Sequence, residues 1–161
     1  MQPVASEQVP QFFGPYRVIG ELGRGGNGIV YRAADEAGRD VAVKTVIGAT
    51  DLERAYLRSE IHALRRIDHP GVVRIFDDGI QDGRPWFAME RLQGETLFEF
   101  IEREGVRREP RAWTFDTLRP MLKLVERICE PLGVMHASGI VHRDLKPENI
   151  ILRGGSDPVI V

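Results

Sequence analysis

The chain changes character once. Up to Glu90 most apolar runs are short, alternating and rich in β-branched and aromatic residues, whereas beyond Gly94 apolar residues recur at helical spacing. "YRVIGELG", "GIVYRAAD", "DVAVKTVI", "VVRIFDDG" and "PWFAMERL" read as five strands. One helical stretch, 50–67, interrupts them. Leu57, Ile61, Leu64 and Ile67 share one of its faces, and Asp68-His69-Pro70-Gly71 ends it. After Gly94 come a short helix, "TLFEFIERE", and a long one over 114–139 with Leu118, Leu122, Val125, Ile128, Leu132 and Met135 in register. Pro131 predicts a kink late in that helix. "NIIL" and "VIV" are short strands around "RGGSDP". The pattern predicts an α+β fold with two lobes. The first is a five-stranded antiparallel sheet with one helix, over 16–92 including the joining segment. The second is helical, over 93–161. Residues 1–15 read as a disordered lead-in, and a cleft between lobes is where a ligand is expected.

Composition narrows the function. The formal net charge of −2 provides no global field for nucleic acid or an anionic membrane, so neither is an expected partner. Cys129 is the sole cysteine, which excludes an internal disulfide and any multi-cysteine zinc site, and it reads as core. No apolar run approaches the ~18 residues of a membrane span. "MQPVASEQVPQ" has neither the basic nor the apolar region of a signal peptide, so a cytoplasmic location is expected, though a longer parent could be membrane-anchored. Nineteen of the 22 basic residues are arginine; Lys44, Lys123 and Lys146 are the lysines. Against that bias a persisting lysine points to a need for a compact ammonium rather than a planar guanidinium.

Three stretches carry chemistry. "GRGGNGIV" places Gly23, Gly25, Gly28 and Val30 in the pattern G-x-G-x-x-G-x-V. Taken alone it is as readily a hairpin turn. A strand, not a helix, follows the glycines, which argues against a dinucleotide fold and for a flap between antiparallel strands over phosphates. In "VAVK", Ala42 and Lys44 share one face of a strand while Val41, Val43 and Thr45 take the other. A lysine in such a strand is usually solvated, but Ala42 leaves room beside it for a flat ring, and Glu60 is available as a partner. "HRDLKPEN" offers Asp144 to orient a hydroxyl and accept its proton, Lys146 as a cation for phosphate and Asn149 as an oxygen ligand for a metal. A polar loop with a capping Asp is the plainer account of that run, but its eight ordered positions make that account the weaker one.

Together these stretches resemble the protein kinase family, of the serine/threonine type, over Tyr16 to Val161. Lys146 in "DLKPEN" resembles serine/threonine kinases more than tyrosine kinases, and the glycine-rich stretch and "HPGVVRIFDDG" look most like the bacterial members. The resemblance implies ATP and Mg2+ as cofactors and a protein with Ser or Thr hydroxyls as substrate. It implies that Gly23, Gly25 and Gly28 cover the phosphates and that Lys44, held by Glu60, binds two of them. Leu22, Val30, Ala42 and Ile151 would enclose the adenine with Met89 behind it. The main chain of Glu90 and Leu92 would bond the adenine edge, and Glu95 would reach the ribose. Asp144 would be the catalytic base, Lys146 would steady the γ-phosphate, and Asn149 would bind magnesium. His142 would pack the loop, and His62, His69 and His136 read as surface or turn residues.

The family pattern continues after a strand like "VIV" with D-F-G, an activation loop and A-P-E, and the 161 residues stop before them. Two other readings therefore stand beside a partial kinase domain: a catalytically dead module that binds nucleotide or a partner, and a gene remnant. The apolar stripe on the long helix, including Leu122, Val125 and Ile128, is expected to face solvent on one side. Residues 1–161 alone are expected to show no phosphoryl transfer in a radiolabelled-ATP assay. A magnesium-dependent activity that Asp144→Asn abolishes overturns that expectation.

Overall fold

A computed structural model describes residues 10–25, 28–45, 61–104 and 114–161. Glu60, most of the 50–67 helix and the first nine residues of the lead-in lie outside the described residues. The chain divides into two units, Met1–Ile61 with Ile75–Arg91, and His62–Arg74 with Leu92–Val161.

In the first unit, strands β1 (Phe12–Phe13), β2 (Tyr16–Gly25), β3 (Gly28–Ala34), β4 (Asp40–Thr45), β5 (Ile75–Gln81) and β6 (Arg84–Glu90) form one antiparallel sheet in the order β1-β2-β3-β4-β6-β5. Period-two alternation sends Ile29, Tyr31 and Ala33, Val41 and Val43, and Trp86 and Ala88 to one face, where they form a buried core with Phe13 and Tyr16. Trp86 anchors it. Tyr16 meets the indole edge-on at 5.9 Å, and a Cβ at Gly14 or Gly79 would come within 2.8 or 2.6 Å of its ring. Glycine at both positions is thus the condition for a tryptophan in this core.

The five expected strands are present, and a sixth corrects the expected lead-in to residue 15. Phe12 and Phe13 pair with Arg17 and Tyr16, Phe13 is buried, and the Gln81 side chain donates to the Phe12 carbonyl at 2.8 Å. A two-residue strand carries no readable alternation; burial of the Phe13 ring against Tyr31 and Trp86 holds it in place.

The second unit contains helices α1 (Leu97–Arg103) and α2 (Phe115–Ala137) and a small antiparallel sheet, β7 (Gly94–Thr96), β8 (Ile150–Arg153) and β9 (Asp157–Ile160). A capping box starts α1: Thr96 Oγ1 accepts from Glu99 N at 3.1 Å, and Thr96 N donates to the Glu99 carboxylate at 2.7 Å. The core joins Ile128 and Met135 of α2 to Ile140, Ile150, Ile160, Ile67 and Val72.

Ile67 and Val72 correct the expected first lobe of 16–92, because 62–74 belongs to this second unit. Val73 N donates to Ile160 O and Ile160 N to Gly71 O, both at 2.9 Å, so the residues before β5 extend the edge of β9. Gly71 lies so close to Pro131 that a Cβ would meet the ring at 2.9 Å. Pro131 is therefore a buried packing surface, and α2 continues through both it and Pro120.

Two further expectations change. Ile128 is buried, so only Leu122 and Val125 of the expected solvent stripe are exposed, at 58% and 55%. Cys129 is exposed rather than core.

Gly94 is where chain conformation most strictly demands glycine. Its φ is +154°, and an added Cβ would run into the Leu152 carbonyl oxygen. Gly94→Ala is expected to cost about 2 kcal/mol or more, read as a lower denaturation midpoint. Gly133→Ala, where a Cβ meets nothing within 4 Å inside α2, is the control and is expected to gain up to about 1 kcal/mol. Equal midpoints for the two variants would refute the steric account.

Candidate active site

The first unit builds its core on one face of the sheet and leaves the other for different residues. Register places Lys44 between Val30 on β3 and Phe87 on β6, and Ala42 between Arg32 and Met89. Val30, Ala42, Lys44 and Met89 thus share the face opposite the Trp86 core, as the alternation predicts. Ala42 and Met89 are buried and Lys44 is half-buried. Glu60, expected to hold the Lys44 ammonium, is outside the described residues.

Gly23 pairs with Val30 and Gly25 with Gly28, at the end of the β2–β3 ladder. The three glycines differ. Gly28 is buried with φ +148°, a backbone that favours glycine on its own account. Gly23 and Gly25 are exposed, and a Cβ on either would meet nothing within 4 Å among the described residues, so packing there does not demand glycine. Leu22 beside them is 48% exposed. Glu90 ends β6 at the rim of the unit.

The second unit holds the polar loop 142–149. Lys146 Nζ lies 3.0 and 2.9 Å from the two Asp144 carboxylate oxygens. Asn149 Nδ2 donates to Asp144 O at 2.8 Å and to its Oδ2 at 3.0 Å. Both partners of the amide are acceptors, so its nitrogen must face them, and Asn149 Oδ1 is the atom left to turn outward. The expected trio of Asp144, Lys146 and Asn149 therefore converges. The hydrogen bond from Lys146 is the largest influence and holds the Asp144 carboxyl below its ordinary range; burial, next in size, opposes it, and the Asn149 amide adds to the lowering.

The loop is positioned by its ends. Arg143 takes a left-handed φ of 60°, which turns Asp144 N back onto His142 O at 2.7 Å. His142 Nε2 lies 2.9 Å from the Val161 carbonyl, and Val161 N donates to Asn149 O at 3.0 Å. His142 thus packs the loop, through a main-chain contact 19 residues away that no local signal shows. A 3-10 turn, Pro147–Asn149, feeds β8, where Ile151 is half-buried and pairs with Thr96 of β7.

Leu92 is half-buried, and the Glu95 carboxylate is occupied by Arg103, whose Nη2 and Nε lie 3.0 and 3.3 Å away. Glu95 is expected to reach a ribose; here an arginine shares it. Among the remaining histidines, His62 and His136 are exposed and His69 Nδ1 accepts from Gly71 N at 3.0 Å, a turn role.

A depressed Asp144 pKa has a sign that can be checked. Because the folded value lies below the unfolded one, about 3.9, the loop's contribution to stability is full above that pH and is lost as pH falls through the folded value. A carbon-13 titration of Asp144 is expected to show the low midpoint, and Lys146→Ala to raise it. An unchanged midpoint in the variant shows that Lys146 does not hold the carboxylate.

Comparison with known proteins agrees with this geometry. Residues 16–160 match the protein kinase domain model. Serine/threonine-protein kinase PknE of Mycobacterium tuberculosis is 35% identical over 144 residues, 87% of this chain and 24% of its own length. Serine/threonine-protein kinase PknH of Mycobacterium bovis is 32% identical over 94% of the chain and 25% of its own length. The chain thus spans about a quarter of these relatives. A mutant form of the Mycobacterium tuberculosis PknI kinase domain superposes with a TM-score of 0.77 at 24% identity, over 95% of this chain and 61% of that one. The apo form of PpkA-294 does so with 0.74 at 22% identity, over 97% and 61%. Those two share the fold; with the domain match and the sequence relatives, they establish that this chain belongs to the protein kinase family, beside its bacterial serine/threonine members.

Proposed function

We propose that the chain supplies the ATP-binding sheet and the catalytic loop of a serine/threonine protein kinase, an enzyme that moves the γ-phosphoryl group of ATP to a Ser or Thr hydroxyl of a protein. The observation that carries this reading is the grip of Lys146 and Asn149 on Asp144. Phosphoryl transfer requires positioned charge more than covalent chemistry, and a carboxylate fixed by two donors is positioned charge.

Each part has a role. Asp144 orients the substrate hydroxyl and takes its proton as the oxygen–phosphorus bond forms and the bond to the leaving ADP oxygen breaks. Lys146, already beside that carboxylate, neutralises the γ-phosphoryl oxygens. Lys44 serves the other phosphates from the sheet face it shares with Val30 and Ala42, and Glu60 is its proposed partner. Gly23 and Gly25, which packing leaves unexplained, give the hairpin room for a close backbone approach to phosphate, and Gly28 shapes its return. Leu22, Val30, Ala42 and Ile151 line the adenine, Met89 backs it, Glu90 and Leu92 offer main-chain bonds to its edge, and Glu95 reaches the ribose from beside Arg103.

One donor suits a magnesium ion: Asn149 Oδ1 is a hard oxygen, left unused by the amide's two hydrogen bonds to Asp144. Bound there, magnesium would supply charge neutralisation at the phosphates. The protein substrate is one that presents Ser or Thr. ATP as the phosphoryl donor favours a cytoplasmic placement of these residues, and no helix among the described residues is long and apolar enough to cross a membrane.

Calorimetry with ATP and magnesium tests the reading. The chain is expected to bind ATP, Lys44→Met to weaken it about tenfold or more, and Asp144→Asn to leave affinity within about threefold. In the protein that carries the chain, Asp144→Asn is expected to lower the transfer rate by about 10²-fold or more. Absence of ATP binding by the unaltered chain sinks the proposal.

A further inference from the structure

The ladder between β4 and β6 ends at Val41 opposite Glu90, so continuing its register by one step sets Arg91 opposite Asp40. The backbone beyond Glu90 has no further ladder partner on β4, and side chains take over. Arg91 Nη1 lies 2.8 Å from Asp40 Oδ2, and Arg32 Nε lies 3.0 Å from Asp40 Oδ1. Each carboxylate oxygen has its own arginine, so the plane of the Asp40 carboxylate is fixed, and Arg91 is tied to the start of β4. By alternation Arg32, Asp40 and Arg91 stand on the same face as Val30, Ala42, Lys44 and Met89, at the end of the sheet where Glu90 emerges.

An isolated surface ion pair contributes little, because solvent and salt screen it and long side chains lose freedom. This cluster differs in two respects. Arg91 is only 25% exposed. The anion is shared by two cations on strands that the sheet already aligns, so little further ordering is required. Its first consequence is local: it holds the strand end from which the Glu90 main chain projects.

We propose that Asp40, clamped by Arg91 and Arg32, is a positioning residue for adenine recognition, fixing the end of β6 so that the Glu90 main chain meets the adenine edge in one geometry. The inference rests on the ATP-binding reading above. It assigns to three charged residues a specificity role that the glycine flap and Lys44 do not share, since those serve phosphate.

Two probes separate these roles. Adenosine carries the base without phosphate, and tripolyphosphate carries phosphate without the base. Calorimetry on the full chain compares the unaltered protein, Asp40→Asn, Arg91→Gln and the double variant. Each single change is expected to weaken adenosine about fivefold, and the double to weaken it no more than Asp40→Asn alone, because Arg91→Gln removes a contact that Asp40→Asn has already broken. Tripolyphosphate affinity is expected to stay constant in all four. Unchanged adenosine affinity in Asp40→Asn, additive losses in the double variant, or equal losses of both probes together with a lower melting temperature each overturn the inference. If the unaltered chain binds adenosine and the variants match it, only this inference falls. If the unaltered chain binds neither ATP nor adenosine, the ATP-binding reading falls and this one with it.

Discussion

A sheet whose core occupies only one of its faces is the constraint on which the first unit depends. Trp86 fills the space between Gly14 and Gly79, and Phe13, Tyr16, Tyr31 and the β-branched residues of β3 and β4 close around it. With apolar burial completed on one side, the opposite face is free to carry polar residues. Lys44 is the clearest case. Its neighbours along the strand, Val43 and Thr45, are buried, while its own side chain belongs to the other face. A slip of one residue in the β3–β4 register would exchange the two sets, placing an ammonium in the core and two valines outside. Core packing and placement of the lysine are therefore one requirement.

The second unit meets a different requirement, to hold a short polar loop still. The loop gains little from hydrophobic burial: Asp144 is half-buried, Leu145 is exposed, and the Lys146 side chain remains 45% accessible. Its order comes from fixed backbone ends. Met135 and Ile140 anchor the chain entering it, β8 anchors the chain leaving it, and Val161 is bonded to both His142 and Asn149. β9 is in turn tied to Gly71 and Val73, and Arg127 of α2 donates to Ser156 O and pairs with Asp157. Residues from four separate parts of the sequence thus fix a stretch of eight, and Asp144 inherits that rigidity through Asn149.

Polar detail and apolar packing differ in how far they could be read in advance. The face shared by Ala42 and Lys44 and the run from His142 to Asn149 are legible, because each is set by spacing within a few residues. Phe12–Phe13 is not, since two residues show no period and their place depends on the distant Tyr31, Gln81 and Trp86. Nor is the membership of 62–74, where main-chain bonds to β9 outweigh the nearness in sequence to β4 and β5. Cys129 and Ile128 are neighbours on α2 with opposite exposure, a matter of helix rotation against a partner that sequence does not display. The Asp40–Arg91 pair is readable in principle from register, but only once β4 is known to pair with β6.

Sequence alone determined the longer elements, their order and the residue types of the polar stretches, because alternation, helical spacing and turn residues act locally; the short strands Phe12–Phe13 and Gly94–Thr96 escaped it. It also determined which side chains of β4 share a face. Tertiary structure decided which strands are neighbours, which segments join which core, and how Asp144 is held, because those depend on contacts between residues tens of positions apart. The grip of Lys146 on Asp144 spans two residues, yet the loop that permits it is set by a carbonyl at Val161 and the strand β9 just before it. The residue types were written locally; the geometry that brings them together is a long-range property of the fold.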